Sequence, residues 1–173
     1  MNKKLLLTLG FASSVPLVTV AASCSKLSKD GQELQQYVEN VENTLLLKMK
    51  NQIFSSDKLI SELIPKLEKV ILDAKNLIND TQKHEDSEYK MRLHNLVDVS
   101  KVSQERITLL DTRNNLKIVM KTLEVDIEEH QKAPKYSDKR YKKIKSLYDE
   151  IKANIDNEDI TILQSLYKNA QEL

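Results

Sequence analysis

After residue 31, apolar residues recur along the chain at alternating spacings of three and four, the repeat of one buried helix face. Leu34, Val38, Val41, Leu45, Lys48 and Gln52 form the first row, with Leu46, Met49 and Ile53 beside it. A helix is expected from about Gln32, with a stripe that turns polar toward its end. Ser55-Ser56-Asp57 offers an N-cap for the next helix. Its row is Leu59, Ile60, Leu63, Ile64, Leu67, Val70, Ile71, Ala74 and Ile78. Pro65 lies inside that row and removes one helical hydrogen bond, so a kink is expected, or a break that puts Pro65 in a new first turn. Asn79-Asp80-Thr81 ends the helix, and polar residues through Asp86 read as a loop.

Ser87 can cap a third helix, with Tyr89, Leu93, Leu96, Val97, Ser100, Ser103, Ile107 and Leu110 on its face. The pattern then shifts to Leu116, Met120, Leu123 and Ile127, and helix is expected to about His130. Such a length exceeds the usual globular helix. Either the helix breaks near Val99–Ser103, or it is a long coiled-coil rod. Lys132-Ala-Pro-Lys-Tyr136 is a connector, after which Ser137 caps a helix carrying Tyr141, Ile144, Tyr148, Ile151 and Ile155. Asp156-Asn157 interrupts it, and a last helix runs from about Glu158 with Ile160, Leu163, Leu166, Tyr167 and Ala170. The expected fold is all-α: four or five amphipathic helices, arranged as an up-and-down bundle or as an elongated coiled-coil hairpin. No internal repeat is evident.

Composition narrows the picture. The chain has 173 residues and only two glycines and three prolines. Gly10 and Pro16 lie near the start, so the rest lacks the turn residues a β-sandwich or barrel needs. No Gly-rich phosphate loop can form around Gly31 alone. Lys+Arg number 27 against 26 Asp+Glu, a balance that argues against bulk nucleic-acid binding, although local patches remain open. Lysine far outnumbers arginine, which reads as the bias of an AT-rich bacterial genome. The single cysteine, Cys24, leaves no disulfide framework and no cysteine-based metal site.

The position of that cysteine carries the sharpest signal. Asn2, Lys3 and Lys4 make a positive start, Leu5 to Val20 is apolar, and Ala21-Ala22-Ser23-Cys24 follows. A positive start, an apolar middle and small residues before a cut are the features of an export signal. The ending resembles the lipobox of bacterial lipoproteins, with Ala21 where leucine is more usual. The Lys-Lys start, the Ser-Pro interruption and the Ala-Ser-Cys ending are similar to leaders of mycoplasma-type lipoproteins. This resemblance covers about the first 25 residues. It implies diacylglycerol on the Cys24 sulfur and cleavage between Ser23 and Cys24, which makes Cys24 the new N-terminus. The implied division is signal peptide 1–23, lipidated cysteine and polar tether 24–31, and helical ectodomain 32–173. An uncleaved signal anchor and an unlipidated secretory leader are the competing readings. Each buried lipid CH₂ contributes about 0.8 kcal/mol, so two chains on one glycerol would anchor the protein stably.

No enzyme signature is found. His84, His94 and His130 form no HExxH pair; His84 with Glu88 is a thin metal suggestion, and solvated surface histidines are the expected reading. Neither a metal nor a cofactor is expected. Lys132, Lys135, Lys139, Arg140, Lys142, Lys143 and Lys145 face one acid, Asp138, with Tyr136 and Tyr141 interleaved. This stretch reads either as a contact patch for an anionic partner (sulfated glycan, lipid headgroup or nucleic acid) or as a solvated loop and helix start. Tyr141 and Tyr148 share the apolar stripe and are expected in the core.

These features suggest an extracellular, membrane-anchored interaction module. Its partners would be membrane lipid, through Cys24, and a protein or glycan. Host-cell adherence is the leading expectation, because helical ectodomains are similar to some adherence-associated antigens of wall-less bacteria. Nucleic acid is not an expected partner, and the coiled-coil faces leave self-association open. An accessory or scaffold of a transport or export complex is the alternative, as is an antigenic surface shield.

Overall fold

The computed structural model describes residues 27–82 and 84–173. Among these there is no strand, and the protein is an all-α bundle. Helix α1 spans Lys29–Asn40 and runs through a π-helical stretch, Val41–Leu46, into α2, Leu47–Lys50. A short α3, Gln52–Ser55, leads to α4, Lys58–Asn79. Then come the long α5, Asp86–Lys132, and α6, Asp138–Asn154, and α7, Ile160–Gln171. The path runs up and down. Lys75–Glu42 and Lys50–Glu68 ion pairs set α4 antiparallel to α1–α2, and Arg92–Asp73 sets α5 antiparallel to α4.

Several local features differ from the sequence expectations, each for a physical reason. Ser28 caps α1 by accepting from the Gly31 amide at 3.3 Å, so helix begins at Lys29 and residues 29–31 are its first turn, not tether. Gly31 sits close against its neighbours: a Cβ there would lie 3.3 Å from Leu27 and from the Tyr89 ring, so those side chains would have to give by a few tenths of an ångström. The α1 stripe does not turn polar. The π-helical stretch adds residues to a turn, so burial passes from Leu45 to Leu46 and Met49, while Lys48 turns aside to meet Asp111 at 2.5 Å. Asp57, as expected, caps α4 through its carboxylate and the Ile60 amide at 3.0 Å. Helix α4 continues through Pro65 without a break. Pro65 is exposed, so the carbonyl it leaves unbonded lies on the solvent side. Glu85, not Ser87, holds the N-cap position of α5, and Ser87 instead donates to the Glu85 carboxylate.

Helix α5 has no break near Val99–Ser103. At 47 residues and 1.5 Å per residue it is about 70 Å long. Its buried residues form two stripes. Tyr89, Leu96, Ser100, Ser103 and Ile107 lie on one line. Leu109, Thr112, Leu116, Leu123 and His130 lie on another, about 160° around the helix at 100° per residue. The sequence shift expected after Leu110 is therefore a change of face, and it falls between Ile107 and Leu109.

Each stripe builds its own core. The first joins Leu34, Val38 and Met49 to Ile60, Leu67, Ile71, Leu96 and Ile107. The second joins Leu109, Leu116 and Leu123 to Ile144, Ile151 and Leu163. Two three-helix units thus share one helix and lie on opposite sides of it. Where the stripe changes face, Arg106 grips Asp57 with two hydrogen bonds, 3.0 and 2.7 Å, and also pairs with Glu158. One heptad on, Arg113 holds Glu158 at 3.1 Å and the carbonyls of Ile155 and Asn157 at 2.9 and 3.1 Å. The loop closing the first unit and the loop closing the second are both fastened here.

The Arg106 hydrogen bond holds the Asp57 carboxyl below its usual range, and the Arg113 hydrogen bond does the same for Glu158. Depressed carboxyls contribute stability that is complete above the unfolded values, about pH 4, and lost as pH falls through the folded values. Arg106→Gln should destabilise the protein by about 2 kcal/mol at neutral pH, because it leaves Asp57 half-buried without its partner. Urea unfolding from pH 7 to pH 2 should show the gap from wild type narrowing below about pH 4. A gap that stays constant to pH 2 would remove the ion pairs as its cause.

Candidate functional site

The far end of α5 organises the basic stretch. His130 is buried there, in the heptad position that follows Leu116 and Leu123. Its ring stacks on Tyr141 at 4.3 Å between centroids and on Tyr136 at 5.8 Å. Nδ1 accepts from the backbone amides of Lys135 and Tyr136, at 3.1 and 3.3 Å. With Nδ1 an acceptor, the neutral ring carries its hydrogen on Nε2. One imidazole thereby folds the connector back over the helix end. Ser137 then caps α6 through the Arg140 amide at 3.4 Å, and Gln131 donates to the Tyr141 hydroxyl at 3.3 Å.

The seven basic residues are not equivalent. Lys135 pairs with Glu129, an exposed contact that raises the lysine pKa and lowers the carboxyl's. Arg140 lies over the Tyr136 ring at 5.1 Å, a cation–π contact. Lys132, Lys139, Lys142, Lys143 and Lys145 are exposed, with no ion pair among the described residues. Ile144, Leu147 and Ile151 take the inward face of α6. Lys139, Lys142 and Lys145, three residues apart, consequently descend its outer face, stepping about 4.5 Å along the axis each time. Lys143 lies to one side, on a shallow depression of about 250 Å³ shared with Ser146, Glu150 and Leu173.

Other expected residues fall elsewhere. Ser23 and Cys24 lie outside the described residues, as do Ala21 and Ala22. Of the three histidines, only His94 is a solvated surface residue, 3.3 Å from Asp98. His84 is half-buried at the α4–α5 corner, with Nδ1 2.6 Å from Glu88 and Nε2 3.1 Å from Asp80. The Glu88 hydrogen bond, with Asp80, raises its pKa. Among the described residues no group of three His, Cys, Asp or Glu side chains is placed to hold a metal, and no helix is long and apolar enough to cross a membrane. Tyr148 packs half-buried on the second core and donates to Glu124 at 3.2 Å, as its stripe implied. Tyr141 is half-buried on His130.

Replacing His130 with alanine removes the stack and both accepted hydrogen bonds, and should cost about 2 kcal/mol. Hydrogen exchange should quicken at the Lys135 and Tyr136 amides and stay unchanged in the first core. Equal quickening in both units would mean that His130 supports the whole fold and not the connector.

No family model, no curated protein and no solved structure matches this chain.

Proposed function

We propose that this chain is a bacterial lipoprotein, held on the extracellular face of the membrane by acyl chains on Cys24. Its helical ectodomain is an interaction module that presents the basic tip to an anionic partner on a facing surface, as in host-cell adherence. One observation carries the reading: the chain enters the ectodomain at one end of α5, and the lysines sit at the other. Leu27 and Gly31 pack by Tyr89, and Asp30 lies 3.3 Å from Lys90, both near the start of α5. The basic connector follows the last residue of the same helix, about 70 Å away. Electrostatic reach at physiological salt is about 8 Å. When the rod stands away from the surface that anchors residue 24, lysines at its tip are out of range of the headgroups there and available to another surface.

Two experiments test the two halves separately. Cys24→Ser in the full chain should leave an unprocessed precursor that takes up no labelled fatty acid, and normal labelling would refute the anchor. In parallel, Lys139→Glu, Lys142→Glu and Lys145→Glu together should weaken saturable binding of the labelled protein to host cells by about tenfold, and less so at high salt. Unchanged binding would exclude the tip as the contact. Recovery of the cell's own transporter or export proteins in place of host material would favour the accessory role.

A further inference from the structure

The half of α5 that serves the second core leaves its opposite side uncovered. On that side Ile118 is 65% exposed and Val125 53% exposed, seven residues apart on one face. Beside them runs a row of four charges: Lys117, Lys121, Glu124 and Glu128, spaced by four, three and four residues. All four are exposed, and among the described residues none has a salt bridge; Glu124 only accepts a hydrogen bond from Tyr148. Within one helix this order mixes opposite-charge neighbours, Lys121–Glu124 and Glu128–Lys132, with like-charge ones. Lys117 and Lys121 repel at i,i+4, as do Glu124 and Glu128, each by a few tenths of a kcal/mol. The opposite flank carries Asn115, Thr122 and Asp126, while Asp111 and Glu129 are already paired with Lys48 and Lys135.

We infer that this face of α5 is a self-association surface, on which Ile118, Val125 and the Lys117–Lys121–Glu124–Glu128 row pack antiparallel against the same residues of a second copy of this chain. A two-fold axis near Thr122 brings the same flanks together with reversed direction. Lys117 then meets Glu128 of the second copy, Lys121 meets Glu124, and Ile118 meets Val125. The reciprocal contacts repeat all three. A parallel pairing would instead set the row against the opposite flank, where Asp126 and Glu129 would face Glu124 and Glu128, so charge selects the antiparallel one. Like charges that are neighbours along one helix thereby face opposite charges across two. Two apolar residues per copy make a patch well below the roughly 1,600 Å² of a standard interface, so the dimer is weak and forms where copies are concentrated.

Disulfide trapping reads this directly, since Cys24 is the chain's only cysteine. The full chain carrying Cys24→Ser and Thr122→Cys, in detergent micelles, should form a disulfide dimer at least about fivefold faster than the same chain carrying Lys101→Cys instead. Lys117→Glu with Lys121→Glu should slow trapping about fivefold, and so should Glu124→Lys with Glu128→Lys. All four substitutions together should restore it, because the reversed row is complementary again. Circular dichroism of each variant checks that helix content is kept. Equal rates at positions 122 and 101 would overturn the proposal, as would slow trapping in the four-site variant. Every chain tested lacks Cys24, so the outcome is independent of the lipid reading.

Discussion

The structure depends on one constraint: a single helix too long for one core must bury apolar residues along its whole length. Helix α5 does so by changing faces. Had Leu109, Leu116 and Leu123 continued the line of Leu96 and Ile107, the second unit would have stacked directly beyond the first on the same side. The 200° step from Ile107 to Leu109 puts it on the other side instead. Each three-helix unit then covers only part of the shared helix, so each half of α5 keeps one bare side. Met91 and Val102 in the first half, Ile118 and Val125 in the second, are exposed for this reason and not through poor packing.

A change of face creates a weak place, since neither core surrounds the helix there. Charge is concentrated at that place. Two of the chain's four arginines, Arg106 and Arg113, stand one heptad apart across the switch, and both close on Glu158. A guanidinium suits this task because its planar fork binds Asp57 with two parallel hydrogen bonds while a third nitrogen reaches Glu158. Lysine, a point charge with no fixed fork, could not hold both loops in one geometry. In a chain so strongly biased toward lysine, arginine at these two positions is consistent with that demand.

Much of this was legible in the apolar rows. Those rows locate all the principal helices, and the break in pattern is visible as a shift, placed after Leu110 whereas the buried face already changes between Ile107 and Leu109. Its meaning is not: a change of register and a change of face look alike until the partners are known. The Arg106–Asp57 pair spans 49 residues and no spacing rule reaches it. The π-helical stretch was hidden because Leu45 and Leu46 read as one stripe with a neighbour, not as a stripe in transit. Gly31 reads as tether because it ends a polar run, whereas it lies in the first turn of α1, close to Tyr89. For the candidate site, the seven cations were evident in sequence, but which of them are spoken for was not. His130, expected to be solvated, is buried. Its spacing of seven from Leu123 was the available signal, outweighed by the residue's polar character.

The two exposed surfaces of the second unit follow from the same geometry, and they differ in kind. The tip is rich in cations, and one buried imidazole folds the connector that begins it; apart from Lys135, which pairs with Glu129, its lysines have no ion pair among the described residues and look outward to a partner of opposite sign. The bare side of α5 carries both signs in an order that is its own complement under reversal, so it looks to a copy of itself. Self-association there would leave the ridge of Lys139, Lys142 and Lys145 uncovered, since α6 packs on the opposite side of α5. Pairing two such rods would double the cations offered to a polymeric anion, and linked weak contacts gain strength steeply with number. A small helical domain could in this way combine modest surfaces into one firm attachment.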